Sequence, residues 1–256
     1  MKLQPNSPDK HDSRLWSGIA GAERTRTSDA QLGMVLTFVA GAINAGGFLA
    51  IGQYTSHMSG IFSAMADNVA LGAFELVGAG LAAFIPFVAG AATSAFLINW
   101  GRRHAAGIQY AIPIMLEALL LCLLGLVGAL VHPISSLLLS AVPPLCFIMG
   151  LQNATVTKLS GARIRTTHIT GLVTDLGIEL GKLLFVNRDD GDHAPVLADR
   201  PKMRLLSLML ICFFVGGVTG AFGFKIFGFL FAIPIALLLF GIAVPTLVAT
   251  KSDAKN

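Results

Sequence analysis

Two short stretches carry the side chains best suited to chemistry. One is Thr55-Ser56-His57-Met58-Ser59-Gly60 and the other Thr166-Thr167-His168-Ile169-Thr170-Gly171. Both read hydroxyl, hydroxyl, His, apolar, hydroxyl, Gly. An imidazole takes up and releases a proton near neutral pH. Hydroxyls ahead of it are expected to cap a helix and leave backbone N–H groups for an anion. Behind His168, the residues Gly171, Asp175, Glu179 and Lys182 follow at spacings of three and four, which puts them on one helical face. Behind His57, the same stripe reads Gly60, Ala64 and Asp67, with Asn68 beside it. Ahead of each stretch lies a Gly-x-x-Asn-Ala element: Gly41-Ala42-Ile43-Asn44-Ala45 and Gly150-Leu151-Gln152-Asn153-Ala154.

Asn44, His57, Asp67, Asn153, His168, Asp175 and Glu179 are therefore the candidate solute-binding residues. Ionisable side chains within a membrane are costly and point to function by default. Two matched stripes could face each other across a midplane. A plainer reading competes with this one. The acids and Lys182 could pair along an amphipathic helix lying on the membrane surface, because neighbours three and four apart touch.

Other chemistries find no support in the sequence. Cys122, Cys146 and Cys212 stand singly in apolar runs without metal or redox spacing. Asp189-Asp190-Gly191-Asp192-His193 lacks the alternating acids and distal Glu of a calcium loop, and reads as a solvated loop. No nucleophile elbow, phosphate loop, zinc motif or dinucleotide fingerprint occurs. We expect no enzyme activity, no cofactor and no metal. The formal net charge of +4 is no sign of nucleic acid, since membrane proteins carry excess Lys and Arg on the cytoplasmic face. Glu117, in the middle of an apolar segment, must be protonated, paired or facing water.

The elements that must position these residues are hydrophobic helices. Of 256 residues, 54% are hydrophobic and only 12% charged, where soluble domains have about 25% charged. The apolar segments run from about 32 to 51, 57 to 72, 73 to 100, 108 to 131, 134 to 156, 168 to 185, 205 to 224 and 226 to 248. A span needs roughly 20 residues, and the segments at 57–72 and 168–185 are short. Asn44 and Gly46-Gly47 interrupt the first segment and suggest irregular backbone there.

Charge decides between eight spans and six. If all eight cross, Arg102, Arg103, Lys158, Arg163, Arg165 and Lys225 fall outside, which is 6 of 18 basic residues. If the two short segments re-enter or lie at the interface, only Lys225 does. The positive-inside rule selects the second arrangement. The expected fold is thus an all-α polytopic membrane protein. It has six transmembrane helices plus two short broken, re-entrant or interfacial helices. Each half then has three spans, an odd number, so the halves form an inverted internal repeat. Residues 1–30 are expected to be a polar cytoplasmic tail. Residues 31–249 make the membrane domain, with repeats at about 31–131 and 134–249, and 250–256 are a second cytoplasmic tail.

The Gly-x-x-Asn-Ala elements and Thr166-Thr167-His168-Ile169-Thr170-Gly171 resemble the bacterial YoaK-like family of membrane proteins of unknown function. The resemblance covers roughly residues 30–250. It implies a multi-spanning inner-membrane protein and supplies no activity. In the first half that family usually shows Asp where this chain has Asn44, and Thr-Gly-Asn where it has Ser59-Gly60-Ile61.

The inverted repeat with interrupted segments leads to a permease-like carrier of a small solute in the bacterial inner membrane, both termini cytoplasmic. Proton coupling is an open option. The alternative is a non-transporting membrane scaffold, sensor or assembly factor. The partners expected are the lipid bilayer and a small solute, with no nucleic acid.

Overall fold

The computed structural model describes residues 26–104, 107–130, 134–162, 164–187 and 194–253, and every regular element among them is helical. In chain order these are α1 (Arg26–Ile51), α2 (Met58–Ala70), α3 (Phe74–His104), α4 (Ala111–Leu130), α5 (Ile134–Ser160), α6 (Ile169–Leu184), α7 (Arg200–Phe227), a 3-10 turn (Gly228–Phe231) and α8 (Ala232–Asp253). Thr27–Leu49, Phe74–His104, Ala111–Leu130 and Arg200–Val248 are long and apolar enough to cross a membrane. The last of these contains both α7 and α8, which Gly228 separates in a left-handed conformation (φ 58°) that favours glycine. The chain is a helical membrane protein, and large apolar side chains such as Phe62, Ile85, Phe96, Leu123, Phe214 and Leu237 lie on its outer surface.

Three close pairs of helices make the frame: α1 with α7, α3 with α5, and α4 with α8. The first two pairs cross at the same device. On α1 and α7 the residues are Phe38 to Gly41 and Phe213 to Gly216. A Cβ at Gly41 would collide with the Phe213 carbonyl oxygen, and one at Gly216 with that of Phe38. On α3 and α5 the residues are Phe87 to Gly90 and Phe147 to Gly150. Gly90 abuts the Phe147 carbonyl and Gly150 abuts that of Phe87. Each crossing brings backbone against backbone, which only glycine allows. Both pairs run parallel, since Gly46 meets Phe224 farther along the first pair and Ser94 bonds Thr155 farther along the second.

Other neighbours run in opposite directions. Gly33, near the start of α1, packs on Ile164, just past the end of α5. Gly125 and Gly128, late in α4, pack on Ile233 and Phe229 around the start of α8. So α1 and α5, which carry the two Gly-x-x-Asn-Ala elements, lie antiparallel.

Several sequence expectations need correction. The backbone does not break at Asn44 or Gly46-Gly47, because α1 is continuous to Ile51. These glycines serve packing instead, with Gly46 against the Phe224 ring and Gly47 against Thr55. Helix α1 begins at Arg26, six residues ahead of the apolar run, with Asp29 in its first turn, where an acid favours the helix dipole. Helix α8 continues past the apolar segment to Asp253. Pro86, Pro143, Pro144 and Pro245 all sit inside continuous helices. The three cysteines are free, as their isolated positions suggested.

Candidate functional site

The two histidine stretches have one geometry. His57 is the N-cap of α2 with φ −87° and ψ 62°, and His168 the N-cap of α6 with φ −86° and ψ 61°. In each, the imidazole lies over the glycine three residues on, so a Cβ at Gly60 or Gly171 would strike the ring. This accounts for the glycine that closes both motifs.

The hydroxyls ahead of each histidine do not cap the helix, contrary to expectation, and neither helix start has a side-chain cap bond. Ser56 and Thr167 bond back to the asparagines instead. Asn44 Oδ1 accepts from Ser56 Oγ at 2.9 Å and from Ser56 N at 3.1 Å. Asn153 Oδ1 accepts from Thr167 Oγ1 at 2.6 Å. Each asparagine thus pins the residue before a histidine to a long helix. The flanking Thr55 and Thr166 are fully buried, and their hydroxyls have no hydrogen-bond partner among the described residues.

The two stretches are not brought together. His168, Asp175 and Arg165 line a cleft of about 790 Å³ whose wall includes Asp29, at the start of α1. His57 is tied through Ser56 to Asn44, fifteen residues further along the same helix. At 1.5 Å per residue, the two sites are about 22 Å apart along α1. Helix α2 packs on α3, and α6 on α7. The expected shared site across a midplane is therefore not formed, because antiparallel α1 and α5 send their following short helices to opposite ends. Asp67 lies exposed on α2, with its backbone oxygen accepting the Leu71 amide that closes the helix.

The charges around the cleft fall into two groups. Arg165 Nη1 lies 3.3 Å from His168 Nδ1. Glu179 is buried (2% exposed) and accepts from Lys182 Nζ at 3.0 Å and from the Asp199 backbone N–H at 2.9 Å. Lys202 lies 3.5 Å from Glu179 and 3.9 Å from Asp175. The Asp199 N–H, followed by the Lys182 and Lys202 charges, holds the Glu179 carboxyl below its ordinary value. Asp199 itself caps α7, its carboxylate accepting from Lys202 N. Leu172, Leu205, Leu206 and Met209 give the cleft an apolar floor. A pocket of this size, mostly apolar with a few convergent charges, suits a small molecule.

A family model covers residues 32–244, a span that contains both histidine stretches and both helix crossings. The chain belongs to the DUF1275 family, proteins of unknown function. This membership agrees with the YoaK-like resemblance of the asparagine and histidine motifs. No curated protein and no solved structure matches this DUF1275 chain.

Sequence reasoning about the DUF1275 chain missed four participants. Lys202 and Asp199 lie beyond a polar loop, and only the fold brings them to Glu179. Asp29 fell in the expected tail. Gln152, inside the motif but unremarked, donates Nε2–H to Glu117 Oε1 at 2.8 Å, and both are buried. The usable signal was the pairing of Gln152 with a mid-segment acid. A second overlooked signal is that α4 and α8 open on the same residues, Ala111-Ile112-Pro113-Ile114 and Ala232-Ile233-Pro234-Ile235. Among the described residues no group of three metal-ligating side chains occurs. Residues 189–192 and His193 lie outside the described residues.

Proposed function

We propose that the chain is a permease-like carrier of a small solute, built as an inverted repeat with six membrane-crossing helices. One observation carries the reading. Exchanging the halves maps the α1–α7 crossing onto the α3–α5 crossing residue for residue, Phe38 and Gly41 onto Phe147 and Gly150, and Phe213 and Gly216 onto Phe87 and Gly90. It maps Asn44–Ser56 onto Asn153–Thr167 as well. The antiparallel course of α1 and α5 supports inversion. Inverted repeats are a common carrier architecture, in which one half rocks against the other.

The basic residues support the orientation. Arg102, Lys158, Arg165, Lys182 and Lys202 gather at the end of the bundle where α3 and α5 finish and α7 begins. That end is read as cytoplasmic. The bacterial inner membrane, both termini cytoplasmic, is the proposed location, with no enzyme activity. On this reading the His168 cleft is the cytoplasmic vestibule and the His57 turn its counterpart at the far face. Asn44, His57, Asp67, Asn153, His168, Asp175 and Glu179 then act as two half-sites rather than one.

Uptake of a panel of small solutes into proteoliposomes tests this. Flux above that of empty vesicles is expected, reduced by His168→Ala and by His57→Ala without loss of folded yield. Flux equal to that of empty vesicles across the panel would favour the scaffold or sensor reading.

A further inference from the structure

Glu117 is the seventh residue of α4, which has 20 residues, and is 1% exposed, and Gln152 faces it from α5 at 0% exposed. Their one bond runs from Gln152 Nε2 to Glu117 Oε1 at 2.8 Å. The Gln152 carbonyl oxygen is buried without a donor among the described residues. An ionised carboxylate has only acceptors and cannot supply one, whereas a carboxylic acid has an O–H. With its proton on Oε2, Glu117 can complete a two-bond ring, giving O–H to Gln152 Oε1 while taking N–H on Oε1. Burying a bare carboxylate in a span without a cation is costly.

Among the described residues no cation offsets that cost. Lys158, the charged residue of α5 nearest Gln152, lies six residues on, about 9 Å along the helix, and bonds Asn99. On α3, the ionisable residues Glu75, Arg102, Arg103 and His104 sit at the helix ends, and Arg102 bonds Tyr110. Residues 228–231 of the 3-10 turn and 232–248 of α8 contain no charged residue. Cys146 on α5 and Cys122 on α4 itself are the other titratable groups within these helices, and Lys251 and Asp253 stand at the far end of α8.

The pair is also joined to the cleft. Gln152 is followed by Asn153, whose side chain bonds Met149 O and holds Thr167, the residue before His168. Two consecutive side chains on one turn of α5 therefore touch the buried acid and the start of α6. The halves differ here: Ile43 occupies the place of Gln152, and Leu238 that of Glu117 by the shared Ala-Ile-Pro-Ile start. The fold evidently works with apolar residues at those positions.

We propose that Glu117 and Gln152 form a proton-binding site in the membrane core, and that loss of the proton is transmitted through α5 to the His168 cleft. The step is a simple deprotonation. The O–H bond of Glu117 breaks, the proton passes to hydroxide from the alkaline medium to give water, and the electron pair stays on Oε2. Gln152 Oε1 then faces a negative oxygen instead of a donor, so the amide must turn, and Asn153 moves with it. The proposal deepens the carrier reading by naming its coupling ion, but its test needs no transported solute.

The test uses full-length protein in neutral phospholipid vesicles, titrated from neutral to alkaline pH. Infrared spectroscopy should show a protonated-acid carbonyl band at neutral pH that disappears on titration. Glu117→Gln, which keeps an amide pair and should fold normally, should lack the band. Gln152→Leu should shift its frequency. Hydrogen exchange over residues 167–175, corrected for intrinsic rate, should change with the same midpoint in wild type, and that step should be missing in Glu117→Gln. Any pH effect common to both proteins cancels in the comparison. Absence of a Glu117 acid band at neutral pH would overturn the site. A band that titrates with no matching exchange step, or that never titrates, would overturn the transmission and leave a static buried acid.

Discussion

Asn153 accepts the Thr167 hydroxyl at 2.6 Å and so fixes the residue before His168 to the last third of α5. Asn44 does the same for Ser56 and His57 from α1. The histidine turns are therefore held by long helices that cross the bundle, while their own helices pack at opposite ends of it. Movement of a long helix would move a histidine, which is the kind of linkage a carrier needs.

Removing that anchor should loosen the turn without unfolding the bundle. An interhelical side-chain bond in a membrane is worth about 1 kcal/mol. Asn153→Ala should thus reduce hydrogen-exchange protection over residues 167–172 roughly fivefold, with α2 unaffected. Asn44→Ala should act on residues 56–61 and spare α6. Equal loss at both turns from either substitution would contradict separate anchors.

Adjacent threonines should respond oppositely. Thr167→Val deletes a made bond, whereas Thr166→Val deletes a buried hydroxyl that has no partner among the described residues. An apolar replacement there is nearly neutral or stabilising. Thermal unfolding should show Thr166→Val at or above wild type and Thr167→Val below it. Destabilisation by Thr166→Val of the same size as by Thr167→Val would mean that the Thr166 hydroxyl is satisfied.

The crossings predict which glycines are irreplaceable. Ala at Gly41 or Gly150 puts a methyl against the backbone carbonyl of the neighbouring helix, which cannot yield as a side chain can. Such overpacking costs about 1–3 kcal/mol, and both variants should lose folded yield. A Cβ at Gly78 meets nothing within 4 Å, so Gly78→Ala should be neutral or slightly stabilising. Comparable yields for all three would contradict the close approach.

Much of this was legible in the chain. The positions of the long helices followed from apolar runs, because burial in lipid demands them. The pairing of motifs followed from two near-identical stretches. What could not be read was depth and partnership. Gly46-Gly47 looked like a break, yet in α1 those glycines admit the Phe224 ring and Thr55. The hydroxyls looked like caps, but His57 and His168 take the N-cap positions, and Ser56 and Thr167 donate to Asn44 and Asn153, which local sequence cannot show. Lys202 reaches Glu179 only because α6 folds back on α7, across a loop whose sequence says nothing of the pairing.

Acid should weaken the docking of α6 on α7. The Glu179 carboxyl is held below its ordinary value of 4.5 in the folded protein. Its contribution is therefore fully present above the unfolded value and lost as pH falls through the folded one. The unfolding midpoint should drop more steeply in acid for wild type than for Glu179→Gln, and the two should converge at low pH. A constant difference between them down to the lowest pH at which the protein folds would contradict the role given to the Asp199 N–H and the two lysines.

The inverted repeat is tested most directly by the sidedness of the twin turns. Ser59 and Thr170 are exposed and occupy the same place in the two motifs. Each can be replaced singly by cysteine in a protein lacking Cys122, Cys146 and Cys212, then exposed to a membrane-impermeant thiol reagent in sealed, oriented vesicles. Labelling from opposite sides is expected, with position 170 reached from the side that also reaches Arg103→Cys. Labelling of positions 59 and 170 from the same side would contradict it.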